Sequence, residues 1–402
     1  MDRRHYVEAF AVDTARRRAD FLDKIEALRS LLRDASLDAI VLSYAHNFAW
    51  LTGGARSFIN MASELGVGSI YVDANQVVLL TNEIEGHRLI NEEFDGLQGD
   101  IKLTKSSSTQ LHEDPWYEQP QALEVARRLA NGGERIAIDT GDAEVEAKVG
   151  LLRASLTKYE QELYRELGKD CGEIIGDISR TIRPSMSEWD VASDLSARCW
   201  SRGITPVVIL TAADERVDKI RHPLPTNKRI KNKVMIVLCG RRAGLVLSCT
   251  RIVYVTTSPG EAVPEDLVRR HEAATYVDAV AIASSVPGAR ANEIFAKIQE
   301  AYEQRGFPGE WKLHHQGGCA GYKSREWIAN PRLNSVVELN QGFAWNPSVT
   351  GTKSEDTVLL MEDPVTKQRV HEVISESPDW PMITHSVHGV TIKRPGILHI
   401  AY

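Results

Sequence analysis

The chain has 402 residues, too many for one ordinary hydrophobic core, so two domains are expected. With 43% hydrophobic and 26% charged residues it reads as a soluble globular protein, and a net charge of -7 excludes the basic footprint of a nucleic-acid binder. No window reaches the length of a membrane span, the first ten residues lack an apolar leader core, and the five cysteines have no paired metal-type spacing, so a reducing cytoplasmic setting is expected.

Apolar residues Phe21, Ile25, Leu28, Leu31 and Leu32 recur at helical spacing and predict a helix over 14–35. Its basic run, Arg16 to Arg18, sits beside Asp13, Asp20 and Asp23 and reads as a solvated face. A buried strand is expected over 38–43, then a hairpin of strands 67–73 and 76–81 turning at Asp73 to Asn75. A helix near 84–94, a strand near Ile101, a polar loop over 106–119, a helix over 120–130 and a strand over 135–139 complete an α/β pattern.

Residues 143–180 read as a long helical region, with the domain boundary near Arg153, giving domains 1–152 and 153–402. Ser185 followed by Glu188 looks like an N-cap box. A strand at 206–210, a loop at 214–227, a strand pair at 234–239 and 245–255, and helices over 265–284 and 291–305 follow. The last forty residues, with Trp380 and a late strand at 397–400, read as a tail wrapped on the body.

The stretch from Leu313 to Leu360 holds the densest chemistry: His314, His315, a glycine turn, Arg325-Glu326, and Glu355-Asp356 opening an apolar strand. Polar residues packed among Gly and strand signals mark a lined cavity. His314 and His315 are assigned to a strand, which sends their side chains to opposite faces. Trp311, Trp327 and Trp345 are expected as wall and core.

Several motifs in this order resemble those of one family. Asn47-Phe-Ala-Trp-Leu-Thr-Gly53, Ile182-Arg-Pro-Ser-Met-Ser-Glu188 (Ser185 standing where Gly is usual), Arg221-His222-Pro223-Leu-Pro225 and Glu355-Asp356-Thr357-Val358 are similar to motifs of the aminopeptidase P, prolidase and creatinase family. The resemblance spans nearly the whole chain. It implies a creatinase/prolidase-type N-terminal α/β domain followed by a C-terminal pita-bread α+β domain, and a homodimer.

The metallopeptidases of that family hold two ions with two aspartates, one histidine and two glutamates. The matching positions here are Leu238, Ser248, Gly318, Asn346 and Glu355, so one ligand of five survives. A two-metal site needs carboxylates that bridge ions about 4 Å apart. No metal or other cofactor is therefore expected. A soft zinc site from Cys249, Cys319, His314 and His315 would draw on separate strands without ligand spacing, and buried structural cysteines are the favoured alternative.

The resemblance to creatinase, a branch working without metal, casts His222 as proton shuttle, and a neutral imidazole suits that task near neutral pH. Glu355 is expected to orient His222 or to pair with a cationic group, and Arg325 to hold a substrate carboxylate by bidentate bonds. His314, His315, Asn346, Ser248 and Thr250 complete the expected binding set, with Arg56 as an N-domain arginine that reaches a partner's site in dimeric relatives. Creatinase keeps glutamates where Thr250 and Asn346 stand, so creatine itself is not the expected substrate.

Three functions stay open. The first is a metal-independent enzyme acting on a small anionic molecule by hydrolysis or elimination at a C–N bond. The second is a non-catalytic binding module. The third is a metal-dependent aminopeptidase or prolidase.

Overall fold

A computed structural model describes residues 13–99, 111–118, 121–258, 260–363 and 365–402. The chain forms two compact units. One runs to Glu160 and takes in Ala243–Leu245; the other comprises Gln161–Arg242 and Val246–Tyr402. The described residues contain no helix long and apolar enough to cross a membrane.

In the first unit, α1 (Thr14–Asp34) starts where the Asp13 side chain accepts the Arg16 amide, and it buries Phe21, Ile25, Leu28 and Leu32 along one stripe. Then come β1 (Ala39–Tyr44), α2 (Ala45–Thr52), β2 (Leu65–Asp73), β3 (Val77–Asn82) and α3 (Gly86–Arg88), which runs into a π-turn at Leu89–Glu93. β4 (Leu111–Asp114), α4 (Ala122–Leu129), β5 (Ile136–Ile138) and α5 (Ala143–Ala154) complete it. The sheet order is β4-β3-β2-β1-β5.

The expected strand near Ile101 lies outside the described residues. The expected loop over 106–119 is corrected in its described part: Leu111–Asp114 pairs in parallel with β3, an edge strand too short and polar to register as period-two alternation. The Asn47 motif is structural. Asn47 Nδ2 donates to Asp139, whose carboxylate also accepts the Ser43 and Tyr44 amides, and α2 ends at Gly53 in the left-handed conformation.

The second unit begins within α6 (Lys158–Arg180) and holds α7 (Glu188–Ser201), β6 (Thr205–Ala213), α8 (Glu215–Lys219), β7 (Lys233–Arg242) and all but the first residue of β8 (Leu245–Thr256). It continues through α9 (Glu265–Ser284), α10 (Ala291–Gln304), a 3-10 turn at Glu310–Lys312, β9 (Gly317–Ala320), β10 (Trp327–Ile328) and β11 (Gln341–Trp345). The last elements are β12 (Ser348–Val349), β13 (Thr352–Lys353), β14 (Asp356–Glu362), β15 (Arg369–Val373), β16 (Met382–Val387), β17 (Val390–Pro395) and β18 (Ile397–Ala401).

Its two larger sheets run β18-β8-β7-β6 and β10-β9-β11-β14-β15. They meet where the Thr250 amide donates to Glu355 O at 3.0 Å and the Ser248 amide donates to Thr357 Oγ1 at 2.9 Å. The C-terminal tail is a hairpin, β16 with β17, followed by β18 laid parallel to β8. Behind the junction lies a buried ionic core in which Asp356 bridges Arg251 and Arg394, and Arg394 reaches on to Asp278. Such a network fixes the strand that opens at Glu355.

The helix start at 185–188 is also corrected. The cap is Ser187, boxed with Asp190, while Ser185 sits at φ 74, the left-handed region that favours glycine. Glu188 is freed from capping and does other work.

Candidate active site

The loop over 214–227 carries His222, and Glu188 holds both of its ends. The buried Glu188 carboxylate accepts the Ala213 amide at 2.8 Å and, beyond the loop's bend, the Thr226 amide at 2.8 Å and hydroxyl at 2.7 Å; Arg216 adds an ion pair. Arg221, next to His222, donates to Glu310 and to Thr350 Oγ1, each at 2.9 Å, and Glu310 also accepts the Thr350 amide. His222 is thereby presented from a loop pinned at three points.

His314 and His315 are placed by the residue after them. Gln316 Nε2 donates to His314 O at 2.6 Å, and its Oε1 accepts the Tyr302 hydroxyl at 2.8 Å. The expectation that the two rings point to opposite faces is overturned: the segment is not a strand, and the rings stack with centroids 4.4 Å apart and planes 24° apart. Strand alternation begins only at Gly317.

His222 Nε2 lies 3.0 Å from His314 Nε2, so one ring donates and the other accepts. The ligand nitrogens of His222, His314 and His315 all fall within 4.8 Å of one another. Burial, then the field of Lys353, pulls His222 below the usual histidine range, and the same two causes bring His314 down to about 2. Burial and Arg325 bring His315 to about 4. The three imidazoles thus stand together at one place in the fold.

Glu355, 2% exposed, does not orient His222. Its carboxylate takes Lys353 Nζ at 2.6 Å and Thr250 Oγ1 at 2.7 Å on one oxygen, and Arg325 Nη2 at 2.9 Å on the other. Burial pushes this carboxyl up, but Lys353 and Arg325 outweigh it and hold it at about 2. Arg325 also donates to Ser248 Oγ at 3.3 Å, and Ser248 contacts Cys239 Sγ at 3.2 Å. Asn346 is buried, with its Oδ1 unpartnered among the described residues, as are Arg325 Nε and the Nδ1 atoms of His314 and His315.

Lys353 is the functional residue that sequence reasoning missed. Its signal was a lysine two positions ahead of the retained glutamate, in a segment otherwise bound for the core. With Val217, Met235, His314 and Ser348 it lines a narrow cleft. Met235 and Cys239 share one face of β7 by alternation, which turns Leu238 to the other face, so Cys239 rather than Leu238 is the neighbour of Ser248. Arg56 lies in the first unit, where its side chain, 64% exposed, pairs with Glu93 at 2.8 Å. Trp345 is fully buried and stacks on Phe343, and Trp327 meets both edge-on, as expected for wall and core.

The model of metallopeptidase family M24 matches residues 162–362, and that of the creatinase/prolidase N-terminal domain matches residues 24–173. Comparison with curated proteins finds no match. Among solved structures, a Xaa-Pro dipeptidase from Bacillus anthracis superposes with a TM-score of 0.66 at 18% identity, over 89% of this chain and 98% of its own. Dipeptidase PepE from Mycobacterium ulcerans gives 0.68 at 14% identity, over 97% and 99%. The N-terminal domain of the FACT complex subunit SPT16 from chickpea gives 0.63 at 11% identity, over 89% and 95%. At these identities the likeness is one of fold.

A metallopeptidase model implies a metal cluster, and the donor set here does not fit one. The carboxylate that remains is committed to Lys353, Arg325 and Thr250. A histidine could not replace Gly318, because a Cβ there would overlap the Trp327 carbonyl oxygen. Ser248 and Asn346 offer neutral oxygens, which cannot balance two divalent ions.

Proposed function

The chain belongs to metallopeptidase family M24, and we propose that within it the protein is a metal-independent, creatinase-like enzyme acting on a small, polar, anionic substrate. The reaction is hydrolysis or elimination at a C–N bond, with His222 as general acid/base. The observation that carries this reading is the 3.0 Å pairing of His222 Nε2 with His314 Nε2, beside a carboxylate already neutralised by lysine and arginine.

In hydrolysis, the neutral His222 ring takes a proton from water as the oxygen bonds to the substrate carbon. It returns that proton to nitrogen as the C–N bond breaks, and His314 keeps the ring in place through the shared hydrogen bond. In elimination the proton comes from carbon instead. Lys353 and Arg325 supply two cations against one carboxylate, Glu355, which suits a substrate carboxylate. Asn346, Ser248 and Thr250 add neutral hydrogen bonds. Arg56 as a contributor to a partner's site, a homodimer and a cytoplasmic location belong to the same proposal.

The test uses protein stripped with a chelator, its metal content checked by elemental analysis, and a panel of small amides, amidines and guanidines that carry a carboxylate. Turnover should persist without metal and fall by roughly 10²–10⁴-fold in His222→Ala. Turnover that requires about two added ions per chain would sink the proposal. It would favour instead the Xaa-Pro dipeptidase activity named for the Bacillus anthracis neighbour.

A second reading, a non-catalytic binding module, is favoured by the self-pairing of Lys353, Glu355 and Arg325, which leaves a site stable without chemistry. Ligand binding without turnover, with or without metal, would select it.

A further inference from the structure

We infer that His222, His314 and His315 form a chelating site for a single soft divalent cation such as Zn²⁺, and that filling it removes His222 from proton transfer. The site is new in composition: it uses three imidazoles and none of the aspartates or glutamates by which the family's two-ion clusters are held. The blocking effect rests on the role proposed for His222; the binding does not.

The geometry is close to what zinc requires. Ligand nitrogens at 2.0–2.1 Å around a tetrahedral ion are about 3.3 Å apart. Here His222 Nε2 and His314 Nε2 are 3.0 Å apart, and all three rings have a ligand nitrogen within 4.8 Å of the others. Small ring rotations close the remaining gap. His222 is solvent-exposed, which gives the ion a way in, while His314 is 8% exposed and fixes the deep side.

Chemistry favours binding from the ligand side. The ring whose Nε2 donates in the 3.0 Å pair becomes a ligand once that proton shifts to its own Nδ1, a change of tautomer that leaves the ring neutral. Among the described residues the buried Nδ1 atoms of His314 and His315 have no partner, so each ring is unmet on one nitrogen. Two features limit the affinity. Lys353 and Arg325 lie near enough to act on the rings, and among the described residues no carboxylate hydrogen-bonds to them. The ion therefore exchanges, as a blocking ion does, rather than staying as a structural one.

Zn²⁺ is titrated calorimetrically into the full-length, chelator-stripped protein, and Co²⁺ is followed by visible absorption as a coordination probe. One Zn²⁺ per chain is expected, with a tetrahedral-type Co²⁺ spectrum and at least tenfold weaker binding in His222→Ala and in His315→Ala. His222→Ala alters an exposed loop residue, so its fold does not depend on the buried pair. Two ions per chain, or binding unchanged in both variants, overturns the site. On a substrate found by the panel above, inhibition by Zn²⁺ that chelator reverses supports the blocking effect. Zinc bound without inhibition, or turnover raised by zinc, overturns it while the site stands.

Discussion

Lys353 Nζ lies 2.6 Å from Glu355 Oε2, two residues along the same chain and both almost fully buried. With Arg325 on the other carboxylate oxygen, this pair supplies covalently the positive charge that a metal ion would otherwise bring to Glu355. A buried carboxylate cannot be left uncompensated. Lys353 and Arg325 meet that need at Glu355 from both oxygens.

That pairing has a pH signature. Glu355 sits at about 2 in the fold against an ordinary 4.5, so its contribution is complete above 4.5 and is lost as pH falls toward 2. The shift corresponds to about 3 kcal/mol. Urea unfolding of wild type and Glu355→Gln should differ most at neutral pH, and the gap should narrow as pH falls from 4.5 and close at about pH 2. A gap independent of pH would mean that the carboxylate charge is not what stabilises the site.

Glu188 should govern the His222 loop although it lies outside the site. Its carboxylate receives the Ala213 amide, both Thr226 donors and Arg216. Glu188→Ala leaves the Arg216 cation and two amides without their acceptor and should cost about 3–5 kcal/mol. Amide exchange at Ala213 and Thr226 should quicken by at least tenfold more than at strand β14. Equal protection in the variant would show that the loop is held elsewhere.

Much of this was legible in the sequence, for reasons that particular residues make plain. The helix at 265–284 and the strand pair around Gly244 follow from periodicity, because burial imposes one face on each. His222, Arg325 and Glu355 could be named because short motifs carry them. Their partners could not. The pairing of Glu355 with Lys353 depends on a bend between β13 and β14, and the stacking of His314 on His315 depends on Gln316 folding back on His314 O. Neither has a periodic signal, and reading a strand into His314-His315 pointed the rings the wrong way. The capping box slipped by two residues because Ser185 and Ser187 both satisfy the spacing rule, and only the backbone decides between them.

Arg325 should tolerate no conservative exchange. Its guanidinium spans Glu355 Oε1 and Ser248 Oγ, which a lysine ammonium cannot reach together. Arg325→Lys should raise KM for a carboxylate-bearing substrate by about tenfold or more while kcat changes little, since one charge-assisted bond is worth about 1.5–3 kcal/mol. A drop in kcat at unchanged KM would move Arg325 from substrate holding to the chemical step.

The ionic core behind the site should oppose the pH trend of Glu355. Arg394 Nε donates to Asp278 Oδ2 at 2.8 Å, and its Nη2 donates to Asp356 Oδ2 at 2.8 Å, so one guanidinium is shared by two carboxylates. Asp278 Oδ1 has no partner among the described residues. Burial therefore wins over Arg394 at this residue and raises its carboxyl from 3.8 to about 6. A group raised in this way favours the fold while protonated, so its contribution is present below 3.8 and is lost as pH climbs through 6. Against Asp278→Asn, wild type should lose about 3 kcal/mol of unfolding free energy between pH 4 and 7. Denaturant midpoints of the two proteins across that range measure it. If wild type gains on the variant as pH rises, the Arg394 ion pair outweighs burial, and Asp278 is charged throughout.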